Sequence, residues 1–253
     1  MTTAVATPER LDIGRVIRDT FGVLRRNLVV FLGLAVLLGG VPSLVFQLAS
    51  APLAGQTAFT PGRLAVMGLG WLVAVAGGSI MQGAIIYGAV TDLNGRRAGF
   101  LDCLRTGARY FLPLLAIGLL SGLGITVGFL LLFVPGAIVA MLWCVAGPSA
   151  VVENTGIFAA FTRSAALTKG DRWRIFGLFL LLGLAILVVE LAVYALVGGI
   201  TAPVTLSPGR IAATTLIAIV TQLVTVTTIA ALYFELRRAR DGLGAEALAA
   251  LFD

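Results

Sequence analysis

The sequence predicts an all-α polytopic membrane protein with six transmembrane helices, and three observations lead to this prediction. Of the 253 residues, 59% are hydrophobic and 12% are charged, and the mean hydropathy of +1.03 lies far outside the range of soluble domains. Six apolar stretches reach or approach the about 20 residues that a helix needs to cross a hydrocarbon core of about 30 Å. The basic residues fall in alternate polar segments between these stretches.

The predicted spans are residues 28–49, 64–90, 112–133, 135–152, 175–199 and 210–234. The fourth is the shortest and follows the third almost directly, so we predict a tight hairpin in which Pro135 opens the returning helix. The first span exceeds the apolar segment of a signal peptide and follows a long charged segment, so we expect it to stay uncleaved. Residues 1–253 are expected to form a single integral membrane domain.

The distribution of basic residues predicts the orientation of the spans. Sixteen of the eighteen Lys and Arg residues fall in alternate polar segments, which leaves only Arg63 and Arg210 on the opposite side. Short loops rich in Lys and Arg stay cytoplasmic, so both termini are expected in the cytoplasm, where the net charge of +6 would meet anionic headgroups. Because no stacking aromatic residues are interleaved with these cations, we expect no nucleic-acid partner. All but one of the basic residues are arginine and alanine is abundant, a bias that indicates a bacterial host of high genomic GC content. The expected location is therefore the bacterial inner membrane.

Amphipathic segments precede the spans on the basic side. Residues 7–9 read as a helix start, with Thr7 as the cap and Pro8 at the first helical position. Apolar and charged residues then separate onto two faces over residues 13–26, and again over residues 101–111. Such a helix lies in the headgroup plane or packs on its own bundle, and the sequence leaves both alternatives open.

This recurrence predicts three parallel repeat units, residues 7–90, 91–152 and 153–235, followed by an amphipathic tail at 236–253. Each unit would contain an amphipathic cytoplasmic helix, a span, an outer turn and a returning span. The returning spans end alike, each in an acidic residue: Asp92, Glu153 and Glu235.

The polar segment at residues 153–174 separates two long apolar blocks and is the most distinctive part of the chain. Asn154 or Thr155 can cap a helix that runs to about Thr168, and Gly170 suits a left-handed residue that closes it. The cations and the tryptophan would lie at the membrane surface. The candidate residues for binding lipid headgroups or a protein partner are Arg163, Lys169, Arg172, Trp173 and Arg174.

Four residues form a structural motif in this segment, namely Glu153, Asn154, Ser164 and Gly170. The segment also contains Arg163 beside Ser164, Leu-Thr-Lys-Gly at residues 167–170, and aromatic and basic residues at the start of the next span. With these features, the segment resembles the membrane domain associated with glycerophosphoryl diester phosphodiesterases. It is also similar to related, uncharacterised six-span bacterial inner-membrane proteins that stand alone. The resemblance implies a helical membrane protein without a settled activity. In fused members the chemistry belongs to a separate barrel, which this chain lacks the residues to build, so no phosphodiesterase activity is expected.

The residue inventory predicts a protein that is not an enzyme. The sequence contains no histidine, which excludes histidine-based acid–base catalysis and histidine metal ligands. Its two cysteines, Cys103 and Cys144, lack the spacing of a metal or redox pair, and no glycine loop of Walker type is present. We therefore expect no catalytic residues, no metal site and no cofactor.

Glu190 is the only acid deep in a predicted span, about 22 Å beyond Ile175. An unpaired carboxylate there costs at least about 2–3 kcal/mol, so Glu190 either forms an intramembrane polar site with Gln222 and nearby threonines, or snorkels outward or pairs with Arg210 or Arg63. The favoured function is a non-enzymatic protein that organises, senses or recruits lipids, chiefly anionic ones, or protein partners at the cytoplasmic leaflet. The alternative is a small-molecule or lipid transporter, which predicts a polar cavity near Glu190.

Overall fold

The computed structural model describes residues 11–50, 60–196 and 208–241. The predicted helix start at residues 7–9, most of the loop after the first span and the tail beyond residue 241 lie outside the described residues.

Every regular element in the described residues is helical, which confirms the all-α prediction. A π-helical turn, Val36–Gly40, separates the first two helices. The ten α-helices described are α1 (Ile13–Ala35), α2 (Val41–Ser50), α3 (Pro61–Leu93), α4 (Phe100–Arg109), α5 (Phe111–Leu131), α6 (Phe133–Trp143), α7 (Ala146–Glu153), α8 (Ile157–Leu167), α9 (Arg172–Leu196) and α10 (Pro208–Asp241).

Six helical stretches in the described residues are long and apolar enough to cross a membrane. They are Ile13–Phe46, Pro61–Leu93, Phe111–Leu131, Phe133–Glu153, Arg172–Leu196 and Ala212–Asp241. The number and order agree with the predicted spans, so the chain is a multi-pass membrane protein.

The first span and the amphipathic segment before it form one kinked helix. Asp12 caps α1 by accepting a hydrogen bond from the Arg15 backbone N–H at 3.2 Å. The kink lies at Asn27, which leaves the helical region with φ −114° and ψ 18°, and its Nδ2 donates to the Val23 carbonyl at 3.1 Å. Asn27 is where the charged segment ends and the apolar run begins.

The predicted tight hairpin between the third and fourth spans is present, but Pro135 does not open it. Leu132 alone, in an extended conformation, separates α5 from α6. Pro135 therefore lies in the first turn of α6, where a missing N–H costs no helical hydrogen bond. The two helices touch backbone to backbone, because a Cβ on Gly128 would lie 2.7 Å from the Cα of Gly136.

The packed core lies toward one end of the bundle. In α3 the buried residues begin at Gly77, and in α9 they are confined to Ile175 and Leu178. Beyond Phe179, α9 exposes most of its large apolar side chains, as expected for a surface covered by lipid tails. We call the packed end, which holds α4, α8, the first half of α1 and the ends of α3, α7 and α10, the arginine-rich end.

Candidate functional site at the arginine-rich end

Each of the three helices that return to the arginine-rich end carries an acid near its end, and each acid binds an arginine. Two of these arginines come from α1 and one comes from α8. The pairs are Arg26 Nε with Asp92 at 2.9 Å, Arg15 with Glu235 at 3.2 Å and Arg163 Nε with Glu153 at 2.9 Å. Because Asp92 and Glu235 are buried, the arginines neutralise carboxylates that would otherwise be costly to remove from water.

Arg163 joins three helices at once. Its Nε donates to both carboxylate oxygens of Glu153, at 2.9 and 3.0 Å, and its Nη2 donates to Asp241 at the end of α10. The Tyr233 hydroxyl donates to the same Glu153 carboxylate at 2.8 Å. We call Glu153, Arg163, Tyr233 and Asp241 the Arg163 cluster, and it fixes α8 between α7 and α10.

These contacts keep the Arg163 guanidinium positively charged. Partial burial acts to lower the pKa of its guanidinium, but the hydrogen bonds to Asp241 and Glu153 outweigh burial and raise that pKa above its ordinary value. Arg163 therefore stays charged throughout the physiological range, and its Nε and Nη2 donors are occupied by its own chain.

Ser164 closes the break between α6 and α7. Its hydroxyl donates to the Leu142 carbonyl at 2.7 Å and accepts from the Val145 N–H at 3.3 Å, two backbone groups that the break would leave unpaired. The side chain is fully buried, so a small hydroxyl residue is required at the point where α8 meets α6 and α7.

Asn154 ends one helix rather than starting the next, so the prediction that Asn154 or Thr155 caps α8 is wrong. Asn154 adopts a left-handed conformation with φ 51° at the end of α7, a conformation that asparagine tolerates better than most residues. The Thr155 hydroxyl donates back to the Ser149 carbonyl at 3.4 Å, and Gly156 takes the N-cap position of α8. The Asn154 side chain accepts a hydrogen bond from the Tyr110 hydroxyl at 2.9 Å.

The helix α4 packs on α3 through a glycine. A Cβ on Gly107 would lie 2.3 Å from the Ile80 carbonyl oxygen, so only glycine permits this distance between the helices. Cys103 is buried in the same contact, and burial, followed by the charge of Asp102, raises the pKa of its thiol to about 11.

The predicted binding residues divide into two groups. Arg163 is held in its cluster, and Arg174 donates to the Leu11 carbonyl at 2.9 Å. Lys169 and Arg172, by contrast, are exposed and form no side-chain hydrogen bond or ion pair with the described residues. Trp173 is 84% exposed beside them. Gly170, between the two cations, has a φ of +93°.

The structure does not bring Glu190 and Gln222 to one site. Glu190 is half-buried on α9 and has no side-chain partner among the described residues, which do not include the Arg210 side chain. Gln222 lines a cavity of about 250 Å³ between the π-helical turn, α2, α3 and α10, where Ser43 and Thr215 supply further polar groups. Glu190 is not among the residues that line this cavity.

Sequence reasoning missed Tyr233 and Asp241 as partners of the central segment. The signal was present in the spacing of residues 233, 237 and 241, which places them on one face of a helix. Arg237 lies 3.6 Å from Asp241 along that face. No group of three or more Cys, Asp or Glu residues in the described part of the chain is arranged to hold a metal ion.

Comparisons with known proteins give an uncharacterised membrane family. Residues 11–236 match the sequence profile of a domain of unknown function (DUF7847). A UPF0259 membrane protein from Pectobacterium carotovorum subsp. carotovorum (strain PC1) is 28% identical over 102 residues, which cover 40% of this chain and 41% of that protein. The chain thus spans less than half the length of this relative. No solved structure matches the chain.

Proposed function

We propose that this chain, which belongs to the DUF7847 family, is a non-enzymatic protein of the bacterial inner membrane that recruits or organises anionic lipids at the cytoplasmic leaflet. Lys169 and Arg172 would bind lipid phosphate, and Trp173 would anchor them at the interface. A protein partner with an acidic surface is the other occupant that these cations fit.

The observation that carries the proposal is the division of the cations. Arg15, Arg26 and Arg163 are held by acids of the same chain, so they hold helices together and have little capacity left for a ligand. Lys169 and Arg172 are exposed and form no ion pair with an acid of the described residues. A basic residue near an anionic membrane surface contributes about 1 kcal/mol of attraction, and an exposed tryptophan beside it is typical of the interface.

The proposed orientation follows from the arginine counts, which favour a cytoplasmic arginine-rich end. Anionic lipids give the cytoplasmic leaflet a negative surface potential, and that potential attracts basic segments placed next to a span. Lys169 and Arg172 occupy such a place, directly before and at the start of α9.

We also propose that the chain is one integral membrane domain of three units. In support, α4 packs on α3, α8 packs on α7, and α1 packs on α10, so each short or amphipathic helix contacts a helix that returns to the arginine-rich end. Two of these contacts involve a small residue. Gly107 faces α3, and Ser164 faces the start of α7.

The resemblance to the phosphodiesterase-associated membrane domain stays a prediction. The expectation that the chain has no phosphodiesterase activity of its own also stays a prediction. The absence of histidine from the sequence supports a non-enzymatic function, because it removes the most common acid–base catalyst.

Native mass spectrometry of the protein in gentle detergent tests the proposal. The double variant Lys169→Gln and Arg172→Gln is compared with Arg96→Gln and Arg97→Gln, which removes two other exposed cations. We expect retention of phosphatidylglycerol to fall about 30-fold in the first variant, from about 1 kcal/mol per cation, and to fall less in the second, because Arg96 and Arg97 have no tryptophan beside them in the chain. Equal retention by both variants and the native protein contradicts the proposal, and an acidic protein that co-purifies in place of lipid favours the partner alternative.

The cavity beside the π-helical turn favours transport as the second candidate function. π-Helical turns occur frequently at functional sites, and the polar residues that line this cavity, Ser43, Thr215 and Gln222, are uncharged. A transported solute would therefore be small and neutral. Glycerol uptake by proteoliposomes should then exceed uptake by protein-free liposomes and slow down in Gln222→Leu, whereas equal uptake by both kinds of vesicle contradicts transport of such a solute.

A further inference from the structure

A groove of about 270 Å³ runs between α6 and α9. Its walls are almost entirely apolar, and its one charged residue is Arg172 at the start of α9. The apolar residues that line it include Phe133, Val134, Ala137, Ile138, Met141 and Phe176. Trp173 lies beside Arg172 on the same wall.

The groove is nearly as long as one leaflet is thick. It follows α6 from Phe133 to Met141, and eight residues of α-helix rise about 12 Å. Half of a hydrocarbon core of about 30 Å is about 15 Å. The groove can therefore take one extended acyl chain along most of the depth of a leaflet.

Its charge distribution matches an anionic amphiphile. A neutral polar solute would find few partners for its hydrogen bonds among the phenylalanine, valine and isoleucine side chains. The Arg172 guanidinium can bind a phosphate through two parallel hydrogen bonds, and no acid among the described residues forms an ion pair with it, since the adjacent Asp171 pairs with Arg240. Phe133 and Val134 are 67% and 62% exposed, so the apolar wall is open to lipid.

We infer that this groove holds one acyl chain of an anionic phospholipid whose phosphate is bound by Arg172. This inference rests on the proposed function, since it identifies the lipid and its position. The phospholipid lies with its headgroup at the arginine-rich end, and Lys169 adds a second positive charge near that headgroup.

Variants that fill the groove without changing its charge test the inference. Val134→Trp and Ala137→Phe place bulk on the groove wall, and Leu130→Trp is a matched control because Leu130 is 85% exposed but does not line the groove. The probes are dioleoyl phosphatidylglycerol and dihexanoyl phosphatidylglycerol, which share a headgroup and differ in chain length. Retention of each probe is measured by native mass spectrometry, and thermal unfolding checks that each variant is folded.

We expect both groove variants to retain dioleoyl phosphatidylglycerol at least about tenfold less than the native protein, because the apolar contact with the chain is lost. Leu130→Trp should retain it normally. The short-chain lipid should bind the groove variants as it binds the native protein, and should be lost from Arg172→Gln.

Two results overturn the inference in different ways. Normal retention of the dioleoyl lipid by both groove variants, together with its loss from Arg172→Gln, refutes the groove and leaves the proposed headgroup site standing. Normal retention by the Lys169→Gln and Arg172→Gln double variant refutes the proposed function and the groove together.

Discussion

Replacing Arg163 by glutamine should loosen α8 from both helices that it joins. The substitution leaves the Glu153 carboxylate, which is 17% exposed, without its cation, and also removes one of the two arginines that pair with Asp241. Breaking a buried ion pair costs about 3–5 kcal/mol, whereas exposed pairs contribute about 0–1 kcal/mol. Because Arg163 is 30% exposed, solvent screens this pair in part. We therefore expect the substitution to lower the free energy of unfolding by about 2 kcal/mol.

Thermal unfolding in detergent measures this loss as a shift of the midpoint. For a chain of this size, about 2 kcal/mol corresponds to a decrease of about 4–8 °C. Lys169→Gln is the matched control, because it removes the same charge from an exposed side chain of the same segment, and its cost should stay within about 0.5 kcal/mol.

A double variant separates the ion pair from general effects of the substitution. Adding Glu153→Gln to Arg163→Gln removes the orphaned carboxylate, so the double variant should recover about 1 kcal/mol relative to the sum of the single variants. Equal midpoint shifts for Arg163→Gln and Lys169→Gln would refute the assignment of Arg163 as the residue that holds α8 in place.

Two further predictions concern α4. Gly107→Ala should destabilise the protein by about 1–3 kcal/mol, because the new Cβ would lie 2.3 Å from the Ile80 carbonyl oxygen. In the control variant Gly118→Ala, the new Cβ meets no atom within 4 Å, so this substitution should be tolerated. Equal thermal unfolding midpoints for the two variants would contradict the contact at Gly107. Burial, followed by the charge of Asp102, raises the pKa of the Cys103 thiol from 9.0 to about 11, which lowers the fraction of reactive thiolate. In a variant that lacks Cys144, alkylation of Cys103 at pH 8 should therefore be about 100-fold slower in the folded protein than in the unfolded protein. The stability that comes from the protonated thiol is complete below about pH 9 and is lost as the pH rises toward about 11, and comparable alkylation rates in the two states would contradict the burial of Cys103.

The number and order of the spans could be predicted from the sequence because an apolar stretch of sufficient length must become a helix in a bilayer. The acids at the ends of the returning spans were also visible in the sequence. Their partners were not, because the Arg15 pair with Glu235 and the Arg26 pair with Asp92 join residues far apart in the chain. Hydropathy gives the length of a helix but not its rotation or its neighbours.

The candidate site was predicted as a set of cations, and the structure separates them by their contacts. Arg163 and Arg172 could not be told apart from the sequence, since both are arginines in one polar segment. Only the positions of Glu153 and Asp241 show that Arg163 is held by its own chain. Asn154 was misassigned for a related reason, because an asparagine can either start a helix or end one in a left-handed conformation.

The orientation of the arginine-rich end decides whether Lys169 and Arg172 can meet lipids of the cytoplasmic leaflet. Single cysteines at Arg97 and Gly62, in a background without the two native cysteines, can be labelled with a membrane-impermeant maleimide. Both positions are exposed, Gly62 in the first turn of α3 and Arg97 four residues beyond its end.

We expect Arg97→Cys to be labelled in inverted inner-membrane vesicles and Gly62→Cys to be labelled in intact spheroplasts. Labelling of Arg97→Cys from outside the spheroplasts, with Gly62→Cys reached only in inverted vesicles, would place the cations on the wrong leaflet and contradict the proposed function.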